Sequence, residues 1–393
     1  MNTGHRKEIH ALHYRSGKPM KITVAGNRFE SIEAASDEPA GMNSPPEALP
    51  MVGPGLVDLQ INGYMGIDFN HYPVSPRHLS DATRLLQLAG VTSYYPTVTT
   101  SSDEYIEDSL KAIAAACSTD AECADSIAGI HLEGPFISPE DGARGAHLAR
   151  YTKAPDWELL QRWQNAAKGK IRIVTMSPEW PGSTAFIEKC TLNGITVSIG
   201  HTSASPEQIR EAAAAGARMS THLGNGAHLM LPRHPNYIWE QLADDSLHAC
   251  LIPDGFHVPL SFLKVVLKVK GPLAMLVSDA VSLSGLPPGA YRSHGRIDVI
   301  KTEQGRLHLA DQPQLLAGSA QLLPWGIGHL ARSGVCSLAD AWDMSSIRPA
   351  AFMDLPSQAG LEAGAPADFV LFHWTGEQVH IRKTFKNGTE RSG

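Results

Sequence analysis

The sequence predicts an α/β protein: a (β/α)₈ TIM-like barrel over residues 51–356, with a small flanking β-sandwich domain built from both chain termini, 1–50 plus 357–393. Three observations lead there. From Met51 onward, short apolar runs bounded by turn residues alternate with helical stretches, the pattern of buried parallel strands and crossover helices. Several of those runs end on a carboxylate or an imidazole. Both ends of the chain instead alternate apolar with polar residues, as half-buried antiparallel strands do.

Taken in order, Ile9–Tyr14, Met20–Val24 and Arg28–Ile32 read as strands. Residues 36–50, rich in Pro, Ser, Glu and Asp, read as a linker or surface loop. The barrel starts with a strand at Gly55–Ile61, a helix at Arg77–Ala89, a strand at Val91–Thr97 and a helix at Asp103–Ala116. Strands follow at Ala128–Glu133, Ile171–Met176, Ile195–Thr202, Ala217–His222, His248–Pro253 and Ala274–Asp279, with helices such as Pro206–Ala215 between them. After a helix-rich stretch at 320–355, Ala367–Phe372 and Gln378–Arg382 return to strands, and Lys386-Asn-Gly388 is a hairpin signal. Head and tail are too short for two cores, so they are expected to pair into one β domain.

Composition narrows the class. With 42% hydrophobic and 19% charged residues among 393, the chain reads as an ordinary soluble globular protein. A net charge of −7 without a basic stripe argues against nucleic acid or anionic membrane as a partner. Met1–His10 has no apolar core of a secretory signal, and no window is long enough for a membrane span. Five cysteines with no Cys-x-x-Cys pair fit reduced thiols, so a cytoplasmic location is expected.

Four of the strands end on Glu133, His201, His222 and Asp279. In such a barrel, chemistry sits at the C-terminal face, so the four gather in one mouth. Singly, each has a plainer reading: a histidine among 18 can be a hydrogen-bonded structural residue, and an aspartate can cap a helix. Together they read as a metal-dependent hydrolase. Catalytic zinc takes three protein ligands and keeps a position open, and Glu133, His201 and His222 supply a His₂Glu set. Asp279 is then the candidate acid–base. One divalent ion per subunit is expected, zinc first, though Fe²⁺, Co²⁺ or Mn²⁺ suits the same N/O set.

The motifs Pro54-Gly-Leu-Val-Asp-Leu-Gln-Ile-Asn-Gly63, Gly90-Val-Thr-Ser-Tyr-Tyr-Pro-Thr97, His131-Leu-Glu-Gly-Pro-Phe-Ile137, Gly145-Ala-His147, Ile199-Gly-His-Thr202, Thr221-His-Leu-Gly-Asn225, Asp254-Gly-Phe-His-Val258, Leu276-Val-Ser-Asp279, Leu316-Ala-Gly-Ser319 and Gly364-Ala-Pro-Ala-Asp-Phe-Val-Leu371 occur in this order. In that order the chain resembles the amidohydrolase superfamily and, within it, the N-acetylglucosamine-6-phosphate deacetylases. The resemblance implies deacetylation of N-acetylglucosamine 6-phosphate, an amino-sugar substrate and a homodimer. It also implies that His147 meets the acetamide oxygen or the sugar. Ala146, Asn225, Gly226, Leu316, Ala317 and Gly318 match substrate-contacting places, and Arg233 and His257 match the phosphate site. Arg233 has a competing reading as a solvent-exposed loop charge.

The chain departs from the pattern at several points. Gln60 and Asn62 stand where many amidohydrolases carry His-x-His, which favours one metal over two. The loop Gly226–Asn236 is atypical, Gly224 replaces a bulky residue and Arg144 replaces a lysine. These changes keep open another N-acetylated substrate: an unphosphorylated amino sugar, a different hexosamine phosphate or an N-acyl amino acid. A non-catalytic barrel scaffold is the remaining alternative.

Overall fold

The computed structural model describes residues 6–35, 49–71, 73–293 and 297–391, so most of the expected linker at 36–50 lies outside the described residues. The chain divides into two compact units: Met1–Asp58, Thr83–Ser93 and Leu322–Gly393 form one, Leu59–Ala82 and Tyr94–Gln321 the other.

An eight-stranded sheet orders its strands as they occur in the chain: Leu56–Ile61, Val91–Thr99, Ile130–Glu133, Ile171–Met176, Thr196–Ile199, Met219–Ser220, His248–Leu251 and Ala274–Leu276. The residues just past the last strand return to the first. Ala280 bridges Ile61 in parallel, the Asp279 N–H donates to Gln60 O (2.9 Å), and the Asn62 N–H donates to Ala280 O (2.8 Å). This seam nearly closes the barrel, and it lies among the candidate site residues. Helices between strands start where short polar side chains can satisfy free N–H groups. Ser102 caps Asp103–Thr119, and Ser205 with Gln208 forms a capping box on Pro206–Ala214.

Strands buried on both faces explain the unbroken apolar runs in the sequence. Several polar residues on and beside them pair with one another. Thr175 Oγ1 lies 2.7 Å from His131 Nε2 and 2.6 Å from Thr221 Oγ1, which in turn meets Ser198 Oγ at 2.5 Å.

Four barrel strands stop earlier than expected, at Ile199, Ser220, Leu251 and Leu276. At the first, second and fourth the cause is local. His201, His222 and Asp279 take φ of +48°, +26° and +46°, a left-handed conformation that ends a ladder. A three-stranded sheet, Gly289–Ser293, Ile297–Lys301 and Leu307–Leu309, was not anticipated. It packs Val299 and Leu307 with Leu283 and Ala320.

In the other unit, strands from both termini join one seven-stranded sheet. Met51–Pro54 pairs with Lys7–His13 on one side and Phe369–Trp374 on the other, so head and tail are neighbours. Pro19–Ala25 and Arg28–Ala34 extend one edge; Val379–Lys386 and Thr389–Arg391 extend the other. The sheet curls onto itself: Arg28 bridges Pro366, and the rings of Phe29 and Phe369 sit 5.4 Å apart. Asn387 and Gly388 both have positive φ (51° and 71°), as a type I′ hairpin turn requires. Trp342, from the helix Leu338–Met344, stacks on Phe372 and donates from Nε1 to Pro54 O at 2.9 Å. Among the described residues, no helix is long and apolar enough to cross a membrane.

Candidate metal centre

Glu133 ends its strand, and His201, His222 and Asp279 lie two or three residues beyond theirs. Glu133, His201 and His222 are buried and Asp279 is half-buried. Oε1 of Glu133 lies 3.2 Å from Nε2 of His201 and 3.1 Å from Nε2 of His222. The two rings meet edge to face with centroids 4.9 Å apart. His147 joins them from the loop after Glu133, with its Nε2 3.3 Å from Nε2 of His201. Ligand atoms of Glu133, His147 and His201 all fall within 4.8 Å of one another.

Proton bookkeeping shows what this cluster lacks. A backbone carbonyl only accepts, so the 3.1 Å contact from His201 Nδ1 to Ala143 O places a proton on Nδ1. In the neutral ring, Nε2 then carries a lone pair aimed at the carboxylate. His222 Nδ1 is buried without a hydrogen-bond partner. Lone pairs pointed at one another repel until a proton or a cation sits among them. The donor set, one carboxylate oxygen and imidazole nitrogens, fits a divalent ion such as zinc.

The local field agrees. Burial alone would raise the Glu133 carboxyl, but hydrogen bonds and charge from His201 and His222 hold it well below the usual carboxylate range. Burial disfavours a charged His222, yet the hydrogen bond and charge of Glu133, with Asp279 further off, raise its pKa. Asp279 is pushed up to about 6, first by burial and then by the charge of Glu133; His222, His257 and a hydrogen bond from Asn62 pull the other way. The pocket favours positive charge beside Glu133 and moves the Asp279 pKa toward neutral pH.

Gln60 and Asn62 have definite positions. The Gln60 amide donates to Glu133 Oε1 (2.9 Å), and the Asn62 amide donates to Asp279 Oδ1 (2.7 Å). The end of the first strand and the residue just past it therefore orient two carboxylates. His131, which the sequence reading passed over, lies fully buried, its Nδ1–H donating to Leu59 O (2.9 Å). Burial pushes its pKa down to about 4, so it is neutral. Its place two residues before Glu133 was the available signal, since residues two apart on a strand share a face.

The other expected residues divide into two groups. Gly226 belongs to the cluster: a Cβ there would fall 2.5 Å from His201 Nδ1, and its φ is +57°. Asn225, the residue before it, donates from its amide to the His222 carbonyl (3.2 Å). His257 is tied to Asp254 (Nδ1 to Oδ2, 2.7 Å), and its charge is felt at Asp279. Ala146 is exposed on the loop that carries His147. Leu316, Ala317 and Gly318 form a half-buried segment in which a Cβ on Gly318 would meet Val281 at 2.5 Å. Arg233 is exposed and makes no hydrogen bond or ion pair with another described residue.

Two departures gain an explanation. A Cβ on Gly224 would lie 2.8 Å from the Phe262 ring, so Phe262 occupies the space a larger residue 224 would take. Arg144 staples its own loop, donating to Pro139 O (2.8 Å) and His147 O (2.9 Å) and pairing with Asp141. The atypical loop is pinned as well. His228 lies 3.0 Å from Tyr237 OH through Nδ1 and 3.2 Å from Glu140 Oε2 through Nε2.

No family model matches the chain. An N-acetylglucosamine-6-phosphate deacetylase from Caenorhabditis elegans is 32% identical over 352 residues, covering 86% of this chain and 82% of that protein. One from Lysinibacillus sphaericus is 30% identical over 339 residues, covering 86% and 84%. A solved structure of a mutant N-acetyl-D-glucosamine-6-phosphate deacetylase from Mycobacterium smegmatis, in complex with N-acetyl-D-glucosamine-6-phosphate, superposes with a TM-score of 0.83. It is 25% identical and covers 98% of this chain and all of that one.

The tight fit of Gly226 on His201 makes a direct test. Gly226→Ala is expected to break the bond from His201 Nδ1 to Ala143 and to weaken Zn²⁺ binding by about tenfold or more, as measured by calorimetric titration.

Proposed function

Because the chain belongs to the N-acetylglucosamine-6-phosphate deacetylase family, we propose that it is a metal-dependent hydrolase converting N-acetylglucosamine 6-phosphate and water into glucosamine 6-phosphate and acetate. The observation that carries this reading is the convergence of one buried Glu133 oxygen with Nε2 of His201 and Nε2 of His222, at 3.2 and 3.1 Å. These three side chains hold one divalent ion per subunit, zinc first, with Fe²⁺, Co²⁺ and Mn²⁺ sharing the ligand preference. Gln60 and Asn62 support one ion over two, since neutral amides are poor substitutes for imidazole at zinc. Bound there, the ion supplies Lewis-acid polarisation of a carbonyl and makes water more acidic.

Asp279 moves the proton. Its carboxylate takes a proton from the attacking water as the new C–O bond forms at the acetamide carbon. It returns that proton to the amine nitrogen as the C–N bond breaks. A pKa near 6 suits both tasks, because the group is ionised at neutral pH yet basic enough to hold a proton transiently. The Asn62 amide keeps Oδ1 aimed. His147 contacts the acetamide oxygen or the sugar, and Ala146, Asn225, Gly226, Leu316, Ala317 and Gly318 surround the ring. Arg233 and His257 receive the phosphate; a guanidinium without an internal partner is free for an incoming anion. Five free cysteines support a cytoplasmic location, and the family resemblance supports a homodimer.

Purified protein should release acetate from N-acetylglucosamine 6-phosphate, lose that activity on chelation and regain it with Zn²⁺. Absence of turnover by zinc-loaded protein would remove the assignment. Asp279 must be deprotonated to act as base, so the rate should rise with pH through an acid limb. A nearby cation can only lower that carboxyl, so the limb should lie at or below about 6. Asp279→Asn should keep its metal, lose about 10²-fold or more in kcat and show no such limb.

A second reading, an unphosphorylated acetamido sugar as substrate, draws on the exposure of Arg233 and the pinned 226–236 loop. Arg233→Ala separates the two. A rise in KM for the phosphorylated sugar alone supports the first, and equal wild-type rates on both sugars support the second.

A further inference from the structure

Glu179 lies just past the strand Ile171–Met176, half-buried, and makes no ion pair with any described residue. Its carboxylate instead collects donors from three loops. Ser138 Oγ donates to Oε1 (2.8 Å); Ser177 Oγ, Ser203 Oγ and the Ser203 backbone N–H each donate to Oε2 (2.7 Å). Because the Ser177 proton is committed to Glu179, the 2.8 Å contact between Ser177 and Thr202 has the Thr202 hydroxyl as donor.

These bonds bracket His201. Thr202 and Ser203 are the two residues that follow it. Ser138, held at its hydroxyl by Glu179, donates its own N–H to the His201 carbonyl at 2.8 Å. His201 carries φ +48°, a conformation that a non-glycine residue keeps only when its surroundings over-determine it. Hydrogen bonds to an ionised acceptor are the stronger kind, and four on one carboxylate make a rigid hub.

We propose that Glu179 is a positioning residue for the metal centre: by tying Ser138, Ser177, Thr202 and Ser203 together, it fixes the left-handed backbone of His201 so that Nε2 faces Glu133 and His222. The inference rests on the reading of His201 as a metal ligand. Nothing in Glu179 itself touches substrate or ion; it acts through the backbone of its neighbours. Outer groups that orient a ligand histidine govern metal affinity by about 10- to 100-fold.

The test compares Zn²⁺ affinity, by chelator competition, in wild type, Glu179→Ala and Glu179→Gln, with circular dichroism of the metal-free proteins as the folding control. Glu179→Ala should bind Zn²⁺ about 10- to 100-fold more weakly. Glu179→Gln, whose amide oxygen can face the three donors on the Oε2 side, should recover most of that loss. Should Glu179→Ala not fold, Ser203→Ala, which deletes one donor, should weaken binding by a smaller factor in the same direction. Unchanged Zn²⁺ affinity in a folded Glu179→Ala, or in Ser203→Ala where that variant stands in for it, overturns the role of Glu179 while leaving the metal centre intact. Failure of the wild type to bind Zn²⁺ overturns the ligand assignment instead, and this inference falls with it.

Discussion

The contact on which everything else turns is the approach of one buried carboxylate oxygen to two imidazole nitrogens, Glu133 to His201 and His222 at 3.2 and 3.1 Å. Burying a carboxylate is costly unless it is paired and hydrogen-bonded. Here the pairing comes from two imidazoles whose nitrogens can each give up a proton to become a metal ligand, so a divalent cation can take the place of the protons between them. The barrel makes this possible by bringing strand ends from distant stretches of chain to one face. It also bears the cost of three left-handed residues, on the order of 1–3 kcal/mol each.

Around that contact, polar groups are arranged in tiers. Gln60 holds Glu133, Asn62 holds Asp279, and the Ala143 carbonyl selects the His201 tautomer. Below them, the chain from Ser198 through Thr221 and Thr175 to His131 uses hydroxyls that can both donate and accept, so a buried polar floor is satisfied without charge. Around them, Arg144 staples its own loop, and His228 and Glu179 tie neighbouring loops to one another. A chemically demanding centre is thus held by neighbours that are mostly neutral, and the few charges among them have defined partners.

Much of this was legible in the chain because burial on both faces leaves unbroken apolar runs. Ile171–Met176 appears in the structure with the bounds read from its sequence, and Lys386-Asn-Gly388 is a hairpin turn. The ends of four barrel strands were read too long; at three of them, nothing in a run such as Ile195–His201 reveals that its last residue turns left-handed. The sheet 289–309 was missed because its strands are short and interrupted. Glu179 was invisible for a different reason: its partners come from positions 138, 177 and 203, and only folding brings them together. Gly226 was noticed, but as a place for substrate to approach; the closer demand is the His201 ring beside it.

The central claim is that one cation sits among Glu133, His201 and His222. Anomalous diffraction from crystals of zinc-loaded protein, collected on both sides of the zinc edge, examines it most directly. The account predicts a single strong peak per chain, within bonding distance of all three side chains, with Asp279 close by. A peak elsewhere, two peaks per site, or none at those residues would contradict it.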